Sequence, residues 1–432
     1  MPADPSAPQV AFVDDPMHVR AALEAVAEPV VGVDVERADA DQYFRRAALV
    51  QVGVAGHCVL LDGVSLTTMP ELDEFLGPDR LAVLHAVEND IEPLLAKHVD
   101  ADRLADTAIA AALLGLPTGL GPLLTAVLGI ELTDDKSTFQ RADWAARPLT
   151  PGMAEYAAGD VVHLPELWAE LESRLQATDR RRWYDEELAW TLARAIEDNR
   201  AWTRVKGSGR LPPDQRAILR SVWEERERLA REHDIAPNRL IHDEVLRDLA
   251  VDPPRTEPQL VRRSQRRRSL LRRYAADLLA AVERGVEAEP EAKSTSNRWT
   301  DTDRAIYDAL RERRAEIAEG LGIQAGVLCP SKPLWAAVAG EPADGEQLCA
   351  LAELRDWQTE VLAEPLWDAY VKARTPAERA SEPGETDAGE TEPGETDPSG
   401  TEPGETGPAA ADADVADTTA PSTAPTGAPN TV

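Results

Sequence analysis

Strand-like segments occur only in the first fifth of this 432-residue chain, and no other feature constrains the fold as strongly. Four short apolar and β-branched runs, bounded by Gly, Asp and charged residues, predict strands at 29–35, 47–54, 58–61 and 81–84. Helical spacing of apolar residues follows at 88–98 and 105–116, and Thr150 and Pro151 mark the start of a third helix. The first 175 residues are therefore predicted to form an α/β domain, a mixed sheet covered by helices.

Beyond residue 179 the sequence predicts helices only. Amphipathic segments separated by breaks that contain Pro and Gly continue to about residue 376. We expect a connecting helix over 176–205, an all-α module over 206–288 and a second helical module over 298–376. Residues 377–432 are acidic and rich in Pro, Gly and Thr, with too few large apolar side chains to offset the entropy lost on ordering. This acidic tail is therefore predicted to be disordered.

Charge is distributed unevenly, which limits where a polyanion can bind. The chain holds 46 Lys and Arg residues against 78 Asp and Glu residues, a formal net charge of −32. Residues 1–175 contain 29 acidic and 11 basic residues, whereas residues 206–284 contain 13 acidic and 18 basic ones. Seven arginines lie between Arg262 and Arg273. A nucleic-acid partner is therefore expected at the first helical module, although a solvated helix face or a localisation-type basic patch also explains the arginine run.

Cysteine content and apolar runs bear on the cellular setting. Cys58, Cys329 and Cys349 are few, odd in number and widely spaced, so neither a disulfide framework nor a cysteine-based zinc site is expected. The N-terminus lacks the basic start and apolar run of a signal peptide. The most apolar stretch, 108–130, is interrupted by glycines and prolines and is not predicted to span a membrane. We expect a soluble, cytoplasmic, monomeric protein with no membrane partner.

Four acidic residues are the candidate catalytic groups. Asp34 and Glu36 lie two residues apart on a predicted strand, so both side chains project from the same face. Two carboxylates on one face repel each other unless a cation neutralises them. Asp90 follows a later strand, and Asp160 lies one helical turn after Tyr156. Each residue alone has an ordinary interpretation, as a turn residue, a helix-terminal charge, a core tyrosine or a surface acid, but their combination is distinctive.

This combination resembles the three exonuclease motifs of the DEDD superfamily, in its tyrosine-bearing class. The motifs are Asp34-x-Glu36, His85-x-x-x-x-Asp90 and Tyr156-x-x-x-Asp160. The sister class carries a histidine five residues before the last acid, where this chain has Glu155. Residues 132–164 are similar to the corresponding region of ribonuclease D and its relatives. Residues 201–250 resemble an HRDC domain, the nucleic-acid-binding module appended to those enzymes. The second helical module, 298–376, has a weaker similarity to an HRDC domain.

The resemblance implies a ribonuclease-H-like fold in which four acids converge on two divalent metal ions, Mg²⁺ or Mn²⁺. On this basis Asp34, Glu36, Asp90 and Asp160 are expected to be metal ligands and Tyr156 to orient the attacking water. Two such cations lower the pKa of a bound water and stabilise the leaving oxygen of a phosphodiester. Carboxylates suit Mg²⁺, which prefers oxygen ligands. A tyrosine, whose ordinary pKa is about 10, is expected to remain a neutral phenol.

Two further groups of residues are predicted to bind nucleic acid. Those near the acids are Lys136, Gln140, Arg141 and Trp144; those in the first helical module are Arg262, Arg263, Arg266 and Arg267. In the first group, the Trp144 indole would stack on a base. The alternative is a loop packed on the helix, with Trp144 in the core. The second group would contact phosphates, giving a salt-dependent affinity that is independent of sequence.

As a whole, the resemblance implies a metal-dependent 3′→5′ exoribonuclease that shortens structured RNA, such as tRNA precursors, and releases nucleoside 5′-monophosphates. Related enzymes use the same acids and metals to proofread DNA, so a 3′→5′ DNA exonuclease is the first alternative. The second alternative is a non-catalytic nucleic-acid-binding protein that retains the fold. The intact set of acids disfavours this second alternative.

Overall fold

The computed structural model describes residues 8–132, 139, 142–197, 200–263, 268–292 and 300–374. The predicted acidic tail lies outside the described residues. Helices and one mixed sheet account for most of the described chain, and none of its strands comes after residue 106, in agreement with the predicted fold class. Among the described helices, none combines the length and the hydrophobicity needed to span a membrane.

A six-stranded mixed sheet with the order β1-β4-β3-β2-β5-β6 forms the first part. Its strands are β1 Gln9–Val13, β2 Val30–Arg37, β3 Ala47–Val54, β4 His57–Asp62, β5 Leu81–Leu84 and β6 Leu104–Asp106. The β2–β3 and β3–β4 pairs are antiparallel, whereas β1, β5 and β6 join in parallel. All four predicted strands are present, with ends that differ by at most two residues, and β1 and β6 were not predicted.

Helices cover the sheet. They are α1 Pro16–Leu23, α2 Pro70–Phe75, α3 Ile91–Ala96, α4 Thr107–Leu113, α5 Leu120–Leu128, α6 Pro151–Val162, α7 Leu164–Ala177 and α8 Arg181–Ala195. The predicted third helix is divided at His163 into α6 and α7. Short 3₁₀ turns occur at Glu24–Val26 and Val87–Asn89.

The alternation along β2 assigns its two faces. Val31, Val33 and Val35 are buried in a hydrophobic cluster with side chains of α1 and α2. Because successive side chains of a strand point to opposite faces, Gly32, Asp34 and Glu36 face the other side. On that side α6 and α7 pack against the sheet. The predicted acids of β2 therefore face α6.

The first helical module has its own hydrophobic core. Its helices are α9 Pro213–His233, α10 Pro237–Leu240, α11 Asp243–Val251, α12 Glu257–Arg262, α13 Arg268–Arg273 and α14 Ala275–Glu287. The 3₁₀ turns Trp202–Arg204 and Ser208–Arg210 precede them. Fully buried side chains such as Leu219, Leu246 and Leu278 form a cluster separate from those of the sheet.

The second helical module instead shares a core with the α/β domain. Its helices are α15 Asp301–Leu321, α16 Ala325–Leu328, α17 Ser331–Ala339, α18 Gly345–Leu351 and α19 Asp356–Arg374. Trp357 stacks on Trp183 of α8, with ring centroids 4.5 Å apart, and its indole Nε1 donates to Glu187 Oε1 at 2.7 Å. One hydrophobic cluster runs from α6 and α7 into α15 and α19. Removing this module would therefore uncover the core of the α/β domain.

Candidate active site

The C-terminal end of α6 lies against the sheet because two glycines make room for it. Gly32 of β2 and Gly53 of β3 are direct register partners. A Cβ atom on Gly32 would lie 2.1 Å from the Val161 carbonyl oxygen, and one on Gly53 would lie 2.5 Å from Val161 Cγ2. Any larger residue at either position would push the helix away from the sheet. The close approach brings Asp160, the neighbour of Val161, to the acids of β2.

Three of the four predicted acids meet at this contact. Carboxylate oxygens of Asp34, Glu36 and Asp160 all lie within 4.8 Å of one another, and the three side chains are partly buried. Asp34 and Glu36 come from alternate positions of β2, and Asp160 comes from the last turn of α6. Oxygen ligands at this spacing suit a hard divalent cation such as Mg²⁺ or Mn²⁺.

Asp90 is buried beside these three acids. It follows the 3₁₀ turn Val87–Asn89 and is 3% exposed. Its Oδ2 atom is buried and makes no hydrogen bond to the described residues. A buried carboxylate oxygen without a partner is costly, and a cation would satisfy it. This oxygen is the second observation that fits a metal ion to the cluster.

Burial and mutual repulsion disfavour the charged forms of Asp34, Glu36 and Asp90. Burial, and next the charge of Asp160, raise the pKa of Asp34 to about 7. Burial, followed by the charges of Asp34 and Asp160, raises the pKa of Glu36 to about 9. The pKa of Asp90 is also raised well above its usual value, by burial and then by Asp34. Four adjacent carboxylates cannot all ionise at neutral pH without a positive countercharge.

Tyr156 lies one turn before Asp160 on the same face of α6. Its ring contacts Phe139 and Trp144, with centroid distances of 5.6 Å and 6.1 Å. Burial, and then the charge of Asp160, raise the pKa of Tyr156 above its ordinary value of 10, and its hydroxyl hydrogen-bonds to Asp160. The side chain therefore remains a neutral phenol at the edge of the acid cluster.

Trp144 belongs to the core and does not form a stacking platform. Its side chain is 2% exposed, and its Nε1 donates to the Phe139 carbonyl oxygen at 3.2 Å. Because the side chain is almost fully buried, the indole offers no free face to a base. The prediction that Trp144 stacks on RNA is therefore wrong, and the alternative, a core tryptophan, is the arrangement found.

Of the other residues predicted to bind nucleic acid, the structure describes only Arg262 and Arg263. Lys136, Gln140, Arg141, Arg266 and Arg267 lie outside the described residues. Arg262 is exposed on the last turn of α12, with its side chain in solvent. The Arg263 guanidinium donates to the Asp252 carbonyl oxygen at 2.7 Å and to the Asp252 carboxylate.

The first helical module touches the loop that follows Glu36. Asp234, at the end of α9, accepts hydrogen bonds from the backbone N–H groups of Tyr43 and Phe44, each at 3.1 Å. The backbone N–H of Ala236 donates to the Asp41 carbonyl oxygen at 2.9 Å. These contacts place the module next to the loop that joins β2, which carries two of the acids, to β3.

The chain is similar to known nucleases over most of its length. Residues 10–176 match a family of 3′-5′ exonuclease domains, and residues 215–282 match the HRDC domain. The ribonuclease D of Pseudomonas paraeruginosa is 30% identical over 381 residues, which cover 85% of this chain and 99% of that protein. The ribonuclease D of Jannaschia sp. is 30% identical over 334 residues, which cover 72% and 83% of the two chains.

A solved structure of a ribonuclease D is also similar to this chain. That of Escherichia coli RNase D aligns with a TM-score of 0.71 at 25% identity, over 84% of this chain and 99% of that one. Fold and sequence together define a 3′-5′ exonuclease with an appended HRDC domain. The chain belongs to the ribonuclease D family, and it is a 3′-5′ exoribonuclease.

Two glycines were missed as site residues by the sequence analysis. Gly32 and Gly53 contribute no side chain to the chemistry, yet they set the distance between α6 and the sheet. A glycine inside a strand often marks a close approach of another backbone, and this signal was present in both predicted strands.

Proposed function

We propose that Asp34, Glu36, Asp90 and Asp160 hold two divalent metal ions, Mg²⁺ or Mn²⁺, at which the RNA phosphodiester is hydrolysed. The convergence of three carboxylates within 4.8 Å is the observation that carries this proposal. The unpartnered oxygen of Asp90 supports it. When bound, such ions lower the pKa of water and stabilise the leaving 3′ oxygen.

Tyr156 has the properties of a residue that orients water. Its phenol is held protonated and its hydroxyl hydrogen-bonds to Asp160, so it can position a water molecule but cannot act as a strong base. The rings of Trp144 and Phe139 both pack against the ring of Tyr156. We propose that this packing holds the hydroxyl in the position where the attacking water lies.

Tyr156→Phe is expected to lower kcat by about 100-fold, because a misplacement of about 1 Å in a reacting group can cost 100-fold in rate. KM for RNA should stay nearly constant, since the ring and its packing remain. Single-turnover cleavage of a 5′-labelled RNA measures the effect. Tyr274→Phe is the matched control, because it removes a buried phenol hydroxyl that has no hydrogen-bond partner among the described residues. Equal rates for the two variants would refute the assignment.

The substrate is proposed to be the 3′ end of structured RNA, such as a tRNA precursor. The similar Escherichia coli RNase D is described as an exoribonuclease involved in structured RNA processing, which supports this substrate class. We also propose that the enzyme acts as a cytoplasmic monomer. Digestion of 3′- and 5′-labelled RNA and of DNA of the same sequence, with Mg²⁺ or with chelator, tests the proposal. Faster digestion of DNA would favour a DNA exonuclease instead.

We propose that catalysis, RNA binding and structural support are carried out by different parts of the chain. Residues 1–175 would carry catalysis, with 176–205 connecting them to the first helical module at 206–288. That module would bind RNA through its basic residues, because the α/β domain is strongly acidic. The second module at 298–376 would act mainly as a support, since it shares the core of the α/β domain.

Replacing Arg262, Arg266 and Arg267 together by Ala is expected to weaken RNA binding and to flatten its salt dependence. Each lost contact to single-stranded RNA should reduce the slope of log K against log salt by about 0.7. The rate on a dinucleotide, which offers the arginines few phosphates to bind, should change little. Filter binding across a salt series measures this, with Arg304→Ala in α15 as the control. If the slope of log K against log salt did not change, the arginines would be solvated surface residues that do not contact RNA.

A further inference from the structure

Asp106, the last residue of β6, is fully buried and is not one of the acids assigned to the metal site. Its carboxylate accepts four backbone hydrogen bonds. Oδ1 accepts from Ala108 at 2.7 Å and from Ile109 at 3.2 Å, which caps the start of α4. Oδ1 also accepts from Ala86 at 3.2 Å, and Oδ2 accepts from Val87 at 2.7 Å. One side chain therefore joins the start of α4 to the turn that follows β5.

That turn has a strained conformation. Ala86 has φ 65° and ψ 59°, a left-handed conformation that costs an alanine roughly 1–2 kcal/mol. The conformation persists only where surrounding groups hold it. Here Asp106 binds the N–H groups of Ala86 and of the next residue.

The same turn carries Asp90. The 3₁₀ turn Val87–Asn89 starts directly after Ala86, and the Asp90 N–H donates to the Val87 carbonyl oxygen at 3.1 Å. A second link runs in parallel, because Thr107 Oγ1 donates to the Leu84 carbonyl oxygen at 3.1 Å and lies 2.8 Å from His85 Nδ1. Asp106 and Thr107 therefore fix the backbone that leads from β5 to Asp90.

We propose that Asp106 is a positioning residue for the metal site, since it holds the 86–89 turn in the conformation that points Asp90 at the other acids. This inference rests on the proposed role of Asp90 as a metal ligand. Groups that orient a metal ligand typically change metal affinity or activity by 10–100-fold when they are replaced.

Asp106→Asn tests the proposal with almost no change in volume. An amide has one oxygen, so it can continue to cap α4 or to accept from Val87, but not both. Oδ1 accepts from both cap donors and from Ala86, so the NH₂ group should take the place of Oδ2 and face the Val87 N–H. The Val87 N–H then loses its acceptor, and the turn is held only through Ala86. We expect the dissociation constant for Mn²⁺, measured by calorimetry without RNA, to rise 10–100-fold. The Mg²⁺ concentration for half-maximal cleavage should rise in parallel.

Three further variants make the result decisive. Asp106→Glu retains the charge but not the geometry, so a similar rise supports positioning, whereas normal Mn²⁺ affinity would assign the effect to charge and overturn the proposal. Asp62→Asn is the control: Asp62 is another buried acid, 2% exposed, and it accepts hydrogen bonds from Val64, Ser65 and Arg147 instead of from the 86–89 turn. It should lower stability without changing Mn²⁺ affinity. Asp90→Asn tests the underlying assignment independently.

These outcomes distinguish the role of Asp90 as a metal ligand from the role of Asp106 as a positioning residue. If Asp90→Asn binds Mn²⁺ normally, the proposed role of Asp90 fails, and the positioning role of Asp106 fails with it. If Asp90→Asn loses Mn²⁺ affinity while both Asp106 variants retain it, only the positioning role fails. If neither Asp106 variant folds, Asp106 serves the fold alone and the proposal is likewise overturned.

Discussion

Asp34→Asn is expected to reduce kcat about 1,000-fold and, at the same time, to make the metal-free protein more stable. The loss of activity follows because the variant removes one of the three carboxylates that converge within 4.8 Å. A loss of about 4 kcal/mol of transition-state stabilisation corresponds to three decades in rate. Single-turnover cleavage of labelled RNA at saturating Mg²⁺ measures this effect.

The gain in stability follows from the electrostatics of the cluster. Burial and the charge of Asp160 raise the pKa of Asp34, so ionised Asp34 destabilises the folded protein. A neutral amide of the same size removes that repulsion. Thermal unfolding in the presence of chelator should therefore give a higher Tm for the variant. Added Mg²⁺ should raise the Tm of the unmodified protein more than that of the variant.

Glu155→Gln is the matched control, because Glu155 is an exposed acid on the same helix as Asp160. It should leave both activity and the Tm nearly unchanged. Full activity in the Asp34→Asn variant would show that Asp34 is not part of the metal site. A variant that loses both activity and stability in chelator would show that the carboxylate serves the fold instead of metal binding.

Gly32→Ala is expected to lower kcat about 100-fold without altering any side chain of the acid cluster. The added Cβ would lie 2.1 Å from the Val161 carbonyl oxygen, so α6 must move away from β2. Asp160 and Tyr156 move with the helix, and a displacement of about 1 Å in a catalytic group can cost 100-fold in rate. Overpacking of this kind also destabilises proteins by about 1–3 kcal/mol. Kinetics and chemical denaturation measure the two effects separately.

Gly121→Ala provides the comparison. Gly121 lies in α5, and a Cβ atom there meets no heavy atom of the described chain within 4 Å. Alanine is the better helix former, so this variant should be slightly more stable and fully active. If Gly32→Ala retained normal kcat, the close packing of α6 on β2 would not be what positions Asp160.

The sequence predicted the central strands for one physical reason. β2 and β3 lie in the middle of the sheet with helices on both faces, so their apolar runs are long and clear. β1 and β6 lie at the edges, and β6 is only three residues long. Edge strands carry weaker patterns, which explains why β6 was taken as the start of the helix predicted at 105–116.

Side-chain packing could not be predicted from local patterns. The burial of Trp144 depends on Phe139 and Tyr156, and its spacing in the sequence is equally compatible with an exposed loop. The separate core of the first module and the shared core of the second likewise depend on packing between helices far apart in the chain. The resemblance to ribonuclease D correctly indicated the family and the appended HRDC domain.

A crystal grown with Mn²⁺ and a short RNA whose 3′-terminal linkage cannot be hydrolysed, with data collected at the manganese absorption edge, tests the metal proposal most directly. Two anomalous peaks bounded by Asp34, Glu36, Asp90 and Asp160, with the terminal phosphate between them, are the expected result. No peak among these four side chains, or manganese held elsewhere beside the RNA 3′ end, would contradict the proposed site.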